Sequence, residues 1–301
     1  ISAGAKWAAT ATGGGEAITW WEFGDPGGRP LIALHGLGIT GRSFAEQDAL
    51  FRACGIRCIA PNLIGGLASP QRDARSSDLS ATVLRLADHL GLARFSLASV
   101  SWGTLPLLGV VALAPARVER AGLFGAFLHG SWCAEEPATT SGLHTDNRRV
   151  LAVGRRWPWL LYPWMQLFHL LSADAVMRRF CDARLPPAER ATVQRGHPFH
   201  DSFAQGWREC AQRGYFYLAL GWEMAISRAP GFSLAEVDAA DVELWVETGE
   251  LDNVHTPAMS EYLARHVRRC QIHIVKGQGR LGCTGTALDA GLARFLAAAS
   301  G

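Results

Sequence analysis

Six short apolar runs alternate with helix-period segments along most of this chain. They are Leu31–Leu34, Ile56–Ala60, Phe95–Ala98, Arg120–Phe124, Val242–Val246 and Ile272–Val275. Such runs suit strands buried on both faces. Between them, Leu79, Val83, Leu86, Ala87 and Leu90 recur with a 3.6-residue period. Ser77 or Asp78 is the expected N-cap of that helix, and Gly91 its terminator. Further helices are predicted from Ser101 through Leu105–Leu113, over Pro257–Val267 and over Ala287–Ala298. Pro106 falls early enough in its helix to be tolerated. Strands alternating with helices predict an α/β fold, a mostly parallel central sheet flanked by helices. Residues Ala17–Phe23 add an early antiparallel strand.

In sheets of this kind ligands bind beyond the carboxyl ends of the strands. His35, Ser101, Asp252 and Arg280 all fall at such ends. The alternation stops between residues 128 and 235, which divides the chain into an N-terminal part of the core (1–127), a helical lid (128–235) and a C-terminal part of the core (236–301). The lid carries Trp132, Trp157, Trp159, Trp164, Trp207 and Trp222, six of the 11 tryptophans. That aromatic content serves either the lid's own packing or an apolar ligand cavity. Trp159, Trp164 and His200, together with His35, are the side chains expected to touch a hydrophobic small molecule.

A net charge of +2 gives no electrostatic case for nucleic acid or an anionic membrane. Seven cysteines without a CxxC pair read as reduced thiols in a cytoplasmic protein. No signal-peptide layout is seen at the N-terminus. The most apolar segment, Trp157–Leu171, is too short to cross a bilayer and is broken by Pro158 and Pro163. If exposed, it would serve as a homodimer face. No histidine pair has metal-ligand spacing, so neither a metal nor another cofactor is expected.

Four local motifs carry chemistry. Ser99-Val100-Ser101-Trp102-Gly103 has the layout of a strand-to-helix turn that presents a serine hydroxyl. His35-Gly36-Leu37-Gly38, the loop from Pro61 to Ser69 and Thr248-Gly249-Glu250-Leu251-Asp252 follow other strands. In order and spacing these resemble the α/β-hydrolase superfamily over nearly the whole length. The resemblance implies Ser101 as nucleophile, Asp252 as the acid of a catalytic triad, and the backbone N–H groups of Leu37 and Trp102 as an oxyanion hole. The departures are Asn62 for Asp, Leu67 for a second Gly, Ser99 for the first Gly of GxSxG, and Arg280 where the triad histidine stands.

The last departure decides the expected chemistry. Arginine stays protonated and has no acceptor lone pair, so it cannot take a proton from Ser101. Of the other histidines, His129, His144, His169, His197, His200, His255, His266 and His273, each reads more readily as a surface or satisfied side chain. His255 follows Asp252 closely, and His200 belongs to a polar island in the lid. Three functions follow. The first is a non-hydrolytic enzyme of a biosynthetic pathway, performing cyclisation, elimination, condensation or rearrangement, with Arg280 paired to Asp252 or clamping a carboxylate or enolate. The second is an ester, thioester or amide hydrolase with a relocated histidine. The third is an inactive ligand-binding protein.

Overall fold

The computed structural model describes residues 6–11, 17–63, 74–168, 175, 185–194, 196–211 and 216–298. Eight strands form one sheet: β1 (Lys6–Ala11), β2 (Ala17–Gly24), β3 (Arg29–Leu34), β4 (Ile56–Pro61), β5 (Phe95–Val100), β6 (Val118–Phe124), β7 (Leu244–Gly249) and β8 (Cys270–Val275). Their spatial order is β1-β2-β4-β3-β5-β6-β7-β8. β2 is antiparallel to both its neighbours, and the pairs from β4 through β8 are parallel. The six apolar runs are all strands, and the predicted antiparallel strand is β2. The edge strand β1, Lys-Trp-Ala-Ala-Thr-Ala, had no apolar run to mark it.

The helices are α1 (Asp48–Ala53), α2 (Ser76–His89), α3 (Thr104–Leu113), α4 (Gly130–Glu135), α5 (Thr145–Arg156), α6 (Leu161–Phe168), α7 (Pro198–Ala211), α8 (Phe216–Ile226), α9 (Leu234–Ala239), α10 (Pro257–His266) and α11 (Gly285–Ala297). α2 begins earlier than its expected cap. Asp78 lies inside the first turn, where its carboxylate accepts the Arg75 N–H at 2.6 Å.

Period-two alternation sends neighbouring residues of one strand into separate cores. Ile32 and Leu34 join α2, α3 and α10 on one face, whereas Leu31 and Ala33 join α1 and α11 on the other. Helices α4 to α9 all lie between β6 and β7, where the alternation of the sequence stops. Their buried side chains, among them Trp132, Leu161, Met165 and Leu220, continue the first core without a break. Trp132 packs edge-on against Phe232, and Trp222 against Phe127. Trp132 and Trp222 are therefore packing residues. Within the apolar 157–171 segment, Trp157, Trp159 and Leu167 are exposed, while Leu161 and Met165 are buried. Among the described residues no helix is long and apolar enough to cross a membrane.

Candidate active site

Ser101 stands at the end of β5 with φ of 55°, a left-handed conformation that L-residues adopt only under constraint. Val100 before it is extended, and a short 3-10 turn over Ser101–Gly103 leads into α3. The reversal needs Gly103, because a Cβ there would lie 2.5 Å from the Leu34 carbonyl oxygen. Ser99 is fully buried and its hydroxyl finds no partner, so a small side chain is what this position requires.

Asp252 and His255 share the loop between β7 and α10. Asp252 Oδ1 accepts the backbone N–H groups of Val254 at 2.8 Å and His255 at 2.9 Å. This side-chain turn curls the loop back on itself. It brings His255 Nδ1 to 3.0 Å from Asp252 Oδ2 and His255 Nε2 to 2.7 Å from Ser101 Oγ. With a carboxylate beside Nδ1, that nitrogen carries the proton and donates it, leaving the Nε2 lone pair to accept the Ser101 hydroxyl. Asp252 and His255 are both buried.

The expectation that the serine lacks an imidazole is therefore corrected. His255, and not Arg280, bridges Ser101 and Asp252. The local signal was the Asp252-Asn253-Val254-His255 spacing just ahead of Thr256 and Pro257, which open α10. The other requirement is distant in sequence. Gly125, after β6, has φ of +65°, and a Cβ on it would come within 2.9 Å of His255 Nδ1 and 3.0 Å of Cys283 Sγ. A glycine on a neighbouring strand end thus makes the space that the imidazole fills.

Arg280 opens a 3-10 turn over Arg280–Cys283 in the loop after β8. It joins Gly36, Leu37, Ile39, Phe44, Ser101, Phe203, His255 and Leu288 around a cavity of about 100 Å³. Leu37, the residue after the His35-Gly36 turn, is on that wall, and Trp102 stands at the start of the helical segment leading into α3. The Trp102 indole is buried, and its Nε1–H donates to the Gly221 carbonyl of α8 at 3.0 Å.

Four side chains expected to contact a ligand are placed differently. His35 is buried between backbone groups: Nδ1–H donates to the Gly36 carbonyl at 2.7 Å, and Nε2 accepts the Leu63 N–H at 3.0 Å. Burial lowers its pKa to about 4, so it is a neutral brace for the turn. Trp159 is 64% exposed. Trp164 packs against the main core, and His200 is buried with Nδ1 3.0 Å from Asp201 Oδ1. None of the four is among the described residues lining this cavity. From the 128–235 segment the described lining residue is Phe203 of α7.

Asn62 also has a structural account. Its Oδ1 accepts the Gly41 N–H and its Nδ2 donates to Thr19 Oγ1, each at 2.9 Å. An aspartate would instead have to accept the second bond from the Thr19 hydroxyl. The rest of that loop, residues 64–73 including Leu67, lies outside the described residues, as does His169. Cys283, also on the cavity wall, is held protonated: burial, and then the Asp252 charge, push its thiol well above the ordinary range. Among the described residues no cluster of acidic, histidine or cysteine side chains has the makings of a metal site.

Comparisons with known proteins agree on architecture. No family model matches the chain. A 115-residue stretch is 36% identical to the dihydrolipoyllysine-residue acetyltransferase component of the acetoin cleaving system of Pseudomonas putida, covering 38% of this chain and 31% of that protein. The chain superposes on an epoxide hydrolase of Vigna radiata with a TM-score of 0.74 and 14% identity, over 99% of this chain and 98% of the other. A hydrolase from Pseudomonas aeruginosa PA01 gives a TM-score of 0.69 at 18% identity, over 98% and 99% of the two chains. A thermophilic esterase from Thermogutta terrifontis gives 0.67 at 19% identity, over the same shares. Strand order, the position of the serine turn and these full-length superpositions lead to one conclusion: the chain has the α/β-hydrolase fold.

Proposed function

We propose that this chain is a serine hydrolase of carbonyl substrates, namely esters, thioesters or amides, with Ser101 as nucleophile, His255 as general base and Asp252 as its orienting acid. One observation carries the reading: a single imidazole contacts the serine hydroxyl at 2.7 Å and the buried carboxylate at 3.0 Å. The non-hydrolytic reading rested on the lack of such a base, and that ground is gone.

In the proposed reaction Ser101 Oγ attacks the carbonyl carbon while its proton passes to His255 Nε2. Asp252 stabilises the imidazolium that forms. The Leu37 and Trp102 backbone N–H groups receive the developing oxyanion, the second of them at a helix start. His255 then protonates the leaving group, and the acyl-serine is cleaved by water that His255 deprotonates. The same chemistry favours a carbonyl substrate over an epoxide. Serine attack on an epoxide carbon would give an ether, which has no carbonyl for water to attack, and Ser101 would stay alkylated.

The test is hydrolysis of a p-nitrophenyl ester series by the wild-type chain and Ser101→Ala. Turnover that vanishes in the variant supports the reading. Turnover that persists in the variant rules out Ser101 as nucleophile.

A further inference from the structure

With His255 as base, the loop after β8 has no proton to transfer, yet it still places a cation on the cavity wall. Arg280 and Glu46 are the charged residues among the described lining residues, and most of the remaining wall is apolar, including Leu37, Ile39, Phe44, Phe203 and Leu288. The backbone on both sides of Arg280 is held by one side chain. Glu189 Oε1 accepts the Gly279 N–H at 2.6 Å, and Glu189 Oε2 accepts the Leu281 N–H at 3.1 Å. Gly279 also sits against Pro186, leaving no room for a Cβ. The side chain of Arg280 therefore starts from a fixed stretch of backbone, and the residue lines the same cavity as Ser101 and His255.

The nearby carboxylates are not equivalent. Asp252 is taken up by three N–H donors and Glu189 by two, and neither lines the cavity. Glu46 does line it, and its negative charge opposes an incoming anion. A planar guanidinium offers a fork of N–H donors that matches a carboxylate.

We propose that Arg280 is a specificity-determining residue, selecting substrates that carry a carboxylate separated from the scissile carbonyl by a short apolar chain. The proposal rests on the hydrolase reading above. An apolar wall receives the chain, Arg280 binds its anionic end, and the carbonyl is left at Ser101.

The experiment compares mono-p-nitrophenyl adipate with p-nitrophenyl hexanoate, which share an acyl-chain length and differ in the terminal carboxylate. The wild-type chain is expected to favour the anionic ester in kcat/KM. Arg280→Gln is expected to lower the ratio of anionic to neutral kcat/KM by about tenfold to a hundredfold, with Arg280→Lys in between. Glu46→Gln is expected to raise the ratio. An unchanged ratio in Arg280→Gln, or a wild-type preference for the neutral ester, overturns the proposal.

A binding arm separates this failure from failure of the hydrolase reading. Adipate and hexanoate are titrated calorimetrically into Ser101→Ala and into Ser101→Ala/Arg280→Gln. Tighter adipate binding that is lost in the double variant supports the carboxylate site even if neither ester is turned over. Equal binding to both proteins overturns it even if both esters are hydrolysed.

Discussion

Two neighbouring loops at the carboxyl edge of the sheet carry the groups of the two proposals, base and acid on one and the cation on the other. The loop after β7 carries both Asp252 and His255, folded by the carboxylate's bonds to the two backbone N–H groups beyond it. The loop after β8 carries Arg280, held by Glu189 and pressed against Gly249, where a Cβ would lie 2.5 Å from the Gln278 carbonyl oxygen. They are tied together as well: the Leu251 N–H donates to that same carbonyl at 2.7 Å. The difference between them teaches that a triad is set by where an imidazole nitrogen arrives, not by which loop sends it. An acid and base three residues apart need only one tight turn and a vacant space to meet the serine.

The sharpest way to break this division is to compare substitutions in the two loops. His255→Ala is expected to lower kcat/KM on a neutral ester by about 10³-fold or more, the scale of losing a general base and triad member. Arg280→Ala is expected to cost at most about tenfold on the same ester, since it removes a binding contact and not a proton acceptor. Comparable losses in the two variants would end the division of labour.

Gly125 sharpens the comparison from outside both loops. Gly125→Ala puts a methyl group where the His255 ring lies and adds a side chain at positive φ. A displacement of this kind is expected to lower kcat by about a hundredfold. KM should move much less, and the ratio of the two effects is read from steady-state kinetics. A change in KM alone would show that the imidazole had not moved.

How much of this was visible in the sequence can be judged from particular residues. The parallel strands β3 to β7 were legible because burial on both faces leaves apolar runs, whereas the edge strand β8, with no fully buried residue, was marked only by Ile272, Ile274 and Val275. Ser101 and Asp252 were legible because each sits directly after such a strand, where a turn has little choice of direction. His255 was not, since its position depends on an Asp252 side-chain turn and on the space above Gly125, which is 130 residues away by subtraction of their numbers. His35 read as a ligand contact, but its two ring nitrogens are both used by backbone groups. Trp159 and Trp164 read likewise, and their exposure is decided by how α5 and α6 pack, which no local pattern records.

The frame that both loops hang from has its own pH signature. His35 is neutral in the fold with a pKa of about 4, against an ordinary value of 6.5. Between these values the unfolded chain binds more protons than the folded one, so stability falls as pH drops from above 6.5 toward 4. His129, also lowered by burial, acts in the same direction. At pH 5 the His35 contribution is expected to be a loss of about 2 kcal/mol relative to pH 8, measurable by denaturant unfolding at the two pH values. A His35→Gln variant should show a smaller difference, and an equal one would assign the pH dependence elsewhere.

The smallest effect is expected on β5. Ser99→Ala removes a buried hydroxyl without a partner and keeps the side chain small. Stability should hold or rise by up to about 1 kcal/mol, seen as an unchanged or higher unfolding midpoint. A marked loss would mean that the hydroxyl is bonded.

The central claim is that His255 activates Ser101, and the most direct measurement is the rate at which a fluorophosphonate modifies Ser101 at neutral pH. The wild-type chain should be labelled at Ser101 at least about a hundredfold faster than His255→Gln, with Arg280→Gln close to wild type by comparison. Equal labelling rates in wild type and His255→Gln would contradict the account, because the serine would then owe its reactivity to some other group.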